Sequence, residues 1–166
     1  MEFKAVKSEN DIKNLYLLIQ EIWPEVFIPI IGKEQVEYML VHYQGEAVIS
    51  EDIKKGYKYF LIMEGDEAIG YFAFFLEKES LEISKIYLLK NYRGLGLSRE
   101  VFDHIEEQAR KNNKAKLTLH VNRNNKRAVE VYLHEGFVIS KTVDLPLGEK
   151  FFLNDYIMEK KLSPVI

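Results

Sequence analysis

The stretch Glu82-Ile-Ser-Lys-Ile-Tyr-Leu-Leu-Lys-Asn-Tyr-Arg-Gly-Leu-Gly-Leu-Ser98 decides how the chain is to be read. Ile83, Ile86, Tyr87, Leu88 and Leu89 form a nearly continuous apolar run, which predicts a buried strand. Arg93-Gly-Leu-Gly96 then predicts a tight turn, because glycines permit positive φ and close approach of the backbone. Val101, Phe102, Ile105 and Ala109 recur at helical spacing directly afterwards.

A strand that feeds a glycine turn and then a helix has a chemical consequence. The first helical turn carries free N–H groups and the positive end of the dipole. Glycines let an anion reach them. The candidate ligands for a phosphate or pyrophosphate are the backbone amides of Leu95, Gly96, Leu97, Ser98 and Arg99, with side-chain charge from Arg93 and Arg99. A plain tight turn explains two glycines about equally well. The dinucleotide fingerprint fails twice: Arg99 stands where a third glycine belongs, and the next strand, Leu117–Val121, is followed by Asn122 rather than an acid.

Arg93-Gly-Leu-Gly96-Leu-Ser98 resembles the pyrophosphate loop of the GNAT family of N-acetyltransferases, whose pattern is Gln/Arg-x-x-Gly-x-Gly/Ala. The approach Leu88-Leu-Lys-Asn-Tyr-Arg93 is similar to that family's Val-x-Pro-x-Tyr-Arg. Lys90 replaces the usual proline and Ser98 the final small residue; serine is small enough to be tolerated there. A second segment, Asn125-Lys-Arg-Ala128-Val-Glu-Val-Tyr132-Leu-His-Glu-Gly136-Phe137, is similar to the family's Asn-x-x-Ala-x-x-x-Tyr-x-x-x-Gly-Phe. The resemblance runs from roughly Lys58 to Leu162 and is weaker before that.

The resemblance implies one N-acetyltransferase domain over residues 1–166. Its α/β (α+β) fold would have a mixed, mostly antiparallel central sheet of about seven strands flanked by about four helices. The fourth and fifth strands would splay apart near Leu88 and His120. It also implies acetyl transfer from acetyl-CoA directly to a primary amine through a ternary complex, with acetyl-CoA as co-substrate and no metal. The pantetheine arm would lie along Ile86, Tyr87 and Leu88, with the Leu88 N–H facing the thioester carbonyl. The pyrophosphate would sit on Arg93, Gly94, Leu95, Gly96, Leu97, Ser98 and Arg99. Asn125 is a pantetheine anchor or a helix cap.

Tyr132 is the implied general acid: a tyrosine hydroxyl, with a pKa near 10, can protonate a thiolate of pKa near 8.5. Glu82 is the implied base for the acceptor amine; a solvated strand-end carboxylate is the bland alternative. Trp23 and Phe27 are candidates for the acceptor wall, with plain core packing as the alternative. Ser80–Tyr87 and Asp155–Leu162 look most like bacterial polyamine acetyltransferases of the sporulation-regulator (PaiA-like) type. A cationic substrate would suit Glu82 and Asp155. A non-catalytic acetyl-CoA sensor on the same fold is the competing function, and homodimers are common in the family.

Composition sets outer bounds. The chain has 166 residues, 47% of them hydrophobic and 30% charged, which reads as globular rather than disordered. A net charge of −3 gives no strong pull on nucleic acid. There is no cysteine, which excludes a disulfide scaffold, a thiolate metal site and a cysteine acyl carrier. The four histidines show no metal-ligand spacing. Met1–Lys7 has no signal or membrane character, so cytoplasmic location is the expectation.

Three local expectations matter below. Ser8, with Asp11 three residues on, predicts a helix start, and Pro24 predicts its end. Trp23–Gly32, apolar with two prolines, reads as a loop. A second helix over Lys33–Tyr43 closes at Gly45, and Ser50–Gly56 reads as a short helix capped by Ser50.

Overall fold

The computed structural model of the protein describes residues 1–164. In chain order the elements are β1 (Glu2–Ala5), α1 (Glu9–Ile31), α2 (Lys33–His42), α3 (Glu46–Lys55), β2 (Lys58–Glu64), β3 (Glu67–Leu76) and β4 (Ser80–Leu88). A 3-10 turn at Lys90–Tyr92 is followed by α4 (Leu97–Lys111), β5 (Lys116–Asn122), α5 (Lys126–His134), β6 (Val138–Leu147) and β7 (Phe151–Lys161). The seven strands are hydrogen-bonded in the order β1-β2-β3-β4-β5-β7-β6, a mixed α/β architecture. The described residues divide into two compact units: Met1–Phe75 with Lys85–Leu97, and Leu76–Ser84 with residues 98–164.

In the first unit β1, β2 and β3 form an antiparallel meander, with Phe3 opposite Ile62 and Phe60 opposite Phe72. The β2–β3 hairpin turns on Gly65 and Asp66, between the paired Glu64 and Glu67, and Gly65 takes φ 60° as a type II′ turn requires. Helix α1 starts as expected: Ser8 accepts from the Asp11 N–H, and the Asp11 carboxylate accepts from the Ser8 N–H.

It does not stop at Pro24. Both Pro24 and Pro29 lie inside α1, so the expected loop over Trp23–Gly32 is helix up to Ile31. An interior proline removes a hydrogen bond and crowds the carbonyl four residues back, at a cost of about 3 kcal/mol. Here packing outweighs it. Leu15, Leu18, Ile19, Ile22, Trp23 and Phe27 make one uninterrupted buried stripe at helical spacing, while Pro29 stands on the exposed side. Gly32, at φ 84°, ends the helix. Helix α3 is longer than expected: Gly45 is its N-cap rather than the close of α2, and Ser50 lies inside it.

In the second unit β4 pairs in parallel with β5, β5 runs antiparallel to β7, and β7 to β6. Pro146 sits in β6, the last strand in the order, where a missing N–H is tolerated. Leu117, Leu119 and Val121 are buried from β5, alternating with Thr118 and His120. Helix α4 buries Val101, Phe102, Ile105 and Ala109, the stripe read from the sequence. The Lys160 ammonium and the Glu106 carboxylate form an ion pair between β7 and α4. The β4–β5 ladder has four pairs and ends at Ile83↔Leu119, while β4 continues to Leu88. The residue after this last pair on β5 is His120, the β5 position near which the sequence predicts the strands to part.

Candidate active site

The loop after β4 is built by two glycines. Gly94 has φ 75° and Gly96 φ 79°, a region that residues with a Cβ enter at a cost of about 1–2 kcal/mol. A Cβ on Gly96 would meet no atom within 4 Å, so the glycine is required by its conformation and the space beside it is open. Helix α4 begins at Leu97, directly after this turn. Leu95, Gly96 and Arg99 are exposed, and Leu97 and Ser98 are half-buried.

Two side chains anchor the loop within the first unit. The Tyr92 hydroxyl donates to the Glu67 carboxylate at 2.9 Å. Arg93 donates through Nε to the Leu88 carbonyl at 2.9 Å and through Nη1 and Nη2 to the Glu25 carboxylate at 3.2 and 2.6 Å. Arg93, expected to offer its charge to a phosphate, is thus paired with a residue of α1.

The end of β4 is bent against β3. A methyl on Gly70 would overlap the Tyr87 carbonyl oxygen and stand 2.8 Å from Leu88 Cδ2 and 3.2 Å from Leu88 Cα. Only glycine admits this approach. The Tyr87 carbonyl is turned onto Gly70, and in a trans peptide the next N–H points the opposite way. The Leu88 N–H is therefore directed away from β3. The Leu89 N–H donates to the Ile69 carbonyl at 2.8 Å, which fixes the following peptide. Ile86, Tyr87 and Leu88 are all half-buried.

Trp23 and Phe27, one helical turn apart on α1, lie with ring centroids 4.3 Å apart and their planes tilted by 34°. Both contact the Tyr87 ring, at 6.1 and 5.8 Å. They are 4% and 7% exposed, buried against the Tyr87 ring.

In the second unit Tyr132 lies on α5, with its ring 6.0 Å from Phe102 and 5.9 Å from Phe137. Burial of the phenol raises its pKa well above the ordinary tyrosine value. Like any tyrosine hydroxyl, it is protonated at neutral pH. Asn125 is the N-cap of α5 and accepts from the Ala128 N–H at 3.3 Å, so the capping role is real. Glu82 is half-buried and paired across the parallel ladder with Thr118. Arg99 is exposed and shared between Asp103 at 3.5 Å and Glu135 at 3.7 Å.

Among the described residues no group of three or more His, Asp or Glu is placed to hold a metal ion. No described helix is long and apolar enough to cross a membrane.

The sequence model of the Acetyltransferase (GNAT) family matches residues 15–137 of this chain. The chain belongs to the GNAT family. An uncharacterized N-acetyltransferase of Mycobacterium bovis is 33% identical over 86 residues, 52% of this GNAT chain and 54% of the relative. The chain thus spans about half the length of that relative. An uncharacterized N-acetyltransferase of Lactobacillus delbrueckii subsp. lactis is 26% identical over 170 residues, 93% of this chain and 94% of the relative.

Among solved structures, the PaiA N-acetyltransferase of Thermoplasma acidophilum in complex with coenzyme A superposes with a TM-score of 0.81 at 19% identity, over 98% of this chain and 100% of that one. The ribosomal-protein-S18-alanine N-acetyltransferase of Escherichia coli gives 0.73 at 16% identity, over 99% and 95%. At these identities the likeness is one of fold, and the fold is that of a GNAT domain.

Two features of this GNAT chain escaped the sequence. Glu25 stands as a lone acid in an apolar, proline-bearing run that read as a loop, so its position opposite Arg93 was not visible. His120 and Asp155 are 35 positions apart, yet the imidazole Nδ1 lies 3.8 Å from the Asp155 carboxylate. Burial raises the Asp155 pKa, against the lowering pull of His120 and Arg123. The outward alternation of His120 on β5 was the available signal; its partner on β7 required the strand register.

Proposed function

We propose that the chain acts as one N-acetyltransferase domain that moves acetyl from acetyl-CoA directly to a primary amine in a ternary complex. The observation that carries this reading is the turn at Gly94 and Gly96, open beside Gly96 and leading into α4, inside the segment matched by the GNAT family. When bound, acetyl-CoA supplies the activated thioester.

The chain's own groups divide the remaining work. The amides from Leu95 to Arg99 take the pyrophosphate, with the helix dipole favouring negative charge there. Ile86, Tyr87 and Leu88 present backbone groups to the pantetheine arm, and Asn125 adds to its anchoring while it caps α5. The Leu88 N–H, directed away from β3, meets the negative charge that develops on the thioester oxygen. Tyr132, neutral at pH 7 as a tyrosine ordinarily is, gives its proton to the departing thiolate. Glu82 takes the proton of the acceptor ammonium, whose ordinary pKa is near 10.4. Cysteine is absent from the chain, which supports direct attack by the amine over a cysteine-bound acyl enzyme.

The acceptor class we favour is a cationic amine such as a polyamine. Glu82 and Asp155 support it: Glu82 pairs with Thr118 and Asp155 with Asn122, an even number of residues further along β5 and so on the same face of the second unit's strands. The test is thiol release on mixing the purified protein with acetyl-CoA and a panel of amines. Release with spermidine or a related amine is expected. Coenzyme A binding without release on any amine would favour a sensor, and failure to bind coenzyme A would sink the reading.

A further inference from the structure

The Arg93 guanidinium grips two things at once. Its Nη atoms hold both oxygens of Glu25 on α1, and its Nε holds the carbonyl of Leu88 at the end of β4. Its side chain is only 17% exposed. The planar fork explains why one side chain manages both: the carboxylate and the carbonyl lie on different edges of one rigid plane. The peptide joining Leu88 to Leu89 is thereby held at both ends, its carbonyl by Arg93 and its N–H by the Ile69 carbonyl. The preceding peptide is set by the approach of the Tyr87 carbonyl to Gly70.

We propose that Glu25 is a positioning residue for acetyl transfer, acting through Arg93 on the backbone of Leu88. The inference rests on the acetyl-CoA reading above. Glu25 balances the Arg93 charge and orients its fork, and the fork holds the peptide next to the N–H assigned to the thioester carbonyl. Arg93 is then a strut rather than a phosphate ligand, and anion binding falls to the loop amides. An amide aimed at a developing charge is sensitive to small displacements, because reacting groups misplaced by about 1 Å lose on the order of 100-fold in rate. Pyrophosphate binding is several residues away along the loop and is buffered from such a shift.

Glu25→Gln, Arg93→Lys and Arg93→Gln separate the two roles. Coenzyme A affinity is measured by titration calorimetry and turnover by thiol release with the best amine, and melting curves check folding. The strut predicts that Glu25→Gln lowers kcat about tenfold or more while the Kd for coenzyme A stays within about threefold. It also predicts that Arg93→Lys behaves like Arg93→Gln, since an ammonium cannot hold Glu25 and Leu88 together. A phosphate ligand gives the reverse: Arg93→Lys near wild type, Arg93→Gln weak in coenzyme A binding, and Glu25→Gln with unchanged kcat. That pattern overturns the proposal. If Glu25→Gln fails to fold, the comparison of Arg93→Lys with Arg93→Gln decides alone. A wild type that binds no coenzyme A, or binds it without turnover on any amine, overturns the strut together with the reading beneath it. A working wild type with kcat within about twofold in Glu25→Gln overturns the strut alone.

Discussion

The indole N–H of Trp23 donates to the hydroxyl of Tyr71 at 3.0 Å, a buried hydrogen bond that ties α1 to β3. Tyr71 is 0% and Trp23 4% exposed, so neither group has water as an alternative partner. Leaving one buried donor unpaired costs about 1–3 kcal/mol, whereas removing both partners costs less than the two single losses combined. We predict that Tyr71→Phe lowers stability by about 1–3 kcal/mol, and that Trp23→Phe combined with Tyr71→Phe is less damaging than the sum of the singles. Urea midpoints of the four proteins check this. Strict additivity would show that the bond contributes nothing of its own.

Gly70 and Gly96 are required for different reasons, and alanine tells them apart. Gly96 has positive φ but open space, so Gly96→Ala is expected to cost about 1–2 kcal/mol of local strain and to weaken coenzyme A binding. A Cβ on Gly70 overlaps the Tyr87 carbonyl, so Gly70→Ala must displace the end of β4. We predict a loss of turnover for Gly70→Ala that is larger than its loss of coenzyme A affinity. Kinetics and calorimetry on the two variants decide the matter; equal affinity losses would contradict the distinction.

The strand, glycine turn and α4 were legible because each has a local cause: an apolar run, a need for positive φ, and a stripe at helical spacing. The same holds for the capping box of α1 and the cap at Asn125. What failed was local too. Pro24 and Pro29 read as helix breakers because a proline's cost is written in its own residue. The packing that outweighs it, Trp23 and Phe27 against Tyr87, connects positions some sixty residues apart. Glu25 and Arg93 meet only because that helix continues, so the misread loop hid the clamp as well.

Tyr132 is the sharpest test of chemistry. Its ring lies in edge contact with Phe102 and Phe137, with centroids 6.0 and 5.9 Å away. Tyr132→Phe keeps those ring contacts and removes only the donor. We predict a fall in kcat of about 100-fold or more, in line with loss of a general acid, with little change in the Kd for coenzyme A. A variant that turns over normally would remove Tyr132 from the reaction.

The start of α1 carries a pH dependence whose sign follows from its hydrogen bonds. The backbone N–H groups of Ser8 and Lys7 both donate to the Asp11 carboxylate and lower its pKa to about 2, from an ordinary 3.8. A folded-state pKa below the unfolded one means that the ionised form stabilises the fold. That contribution is complete above about pH 4 and is lost as the pH falls from about 4 to 2. Water screens a carboxylate at a helix start, so the effect stays at about 1 kcal/mol or below. Ser8→Ala removes the reciprocal bond to the Asp11 N–H and is predicted to cost about 1 kcal/mol at neutral pH. Asp11→Asn is predicted to lose stability at pH 7 and to flatten the stability profile between pH 4 and 2. Denaturant melts of wild type and both variants across that range measure it. A wild-type profile no steeper than that of Asp11→Asn would mean that the acid sensitivity lies in other carboxylates.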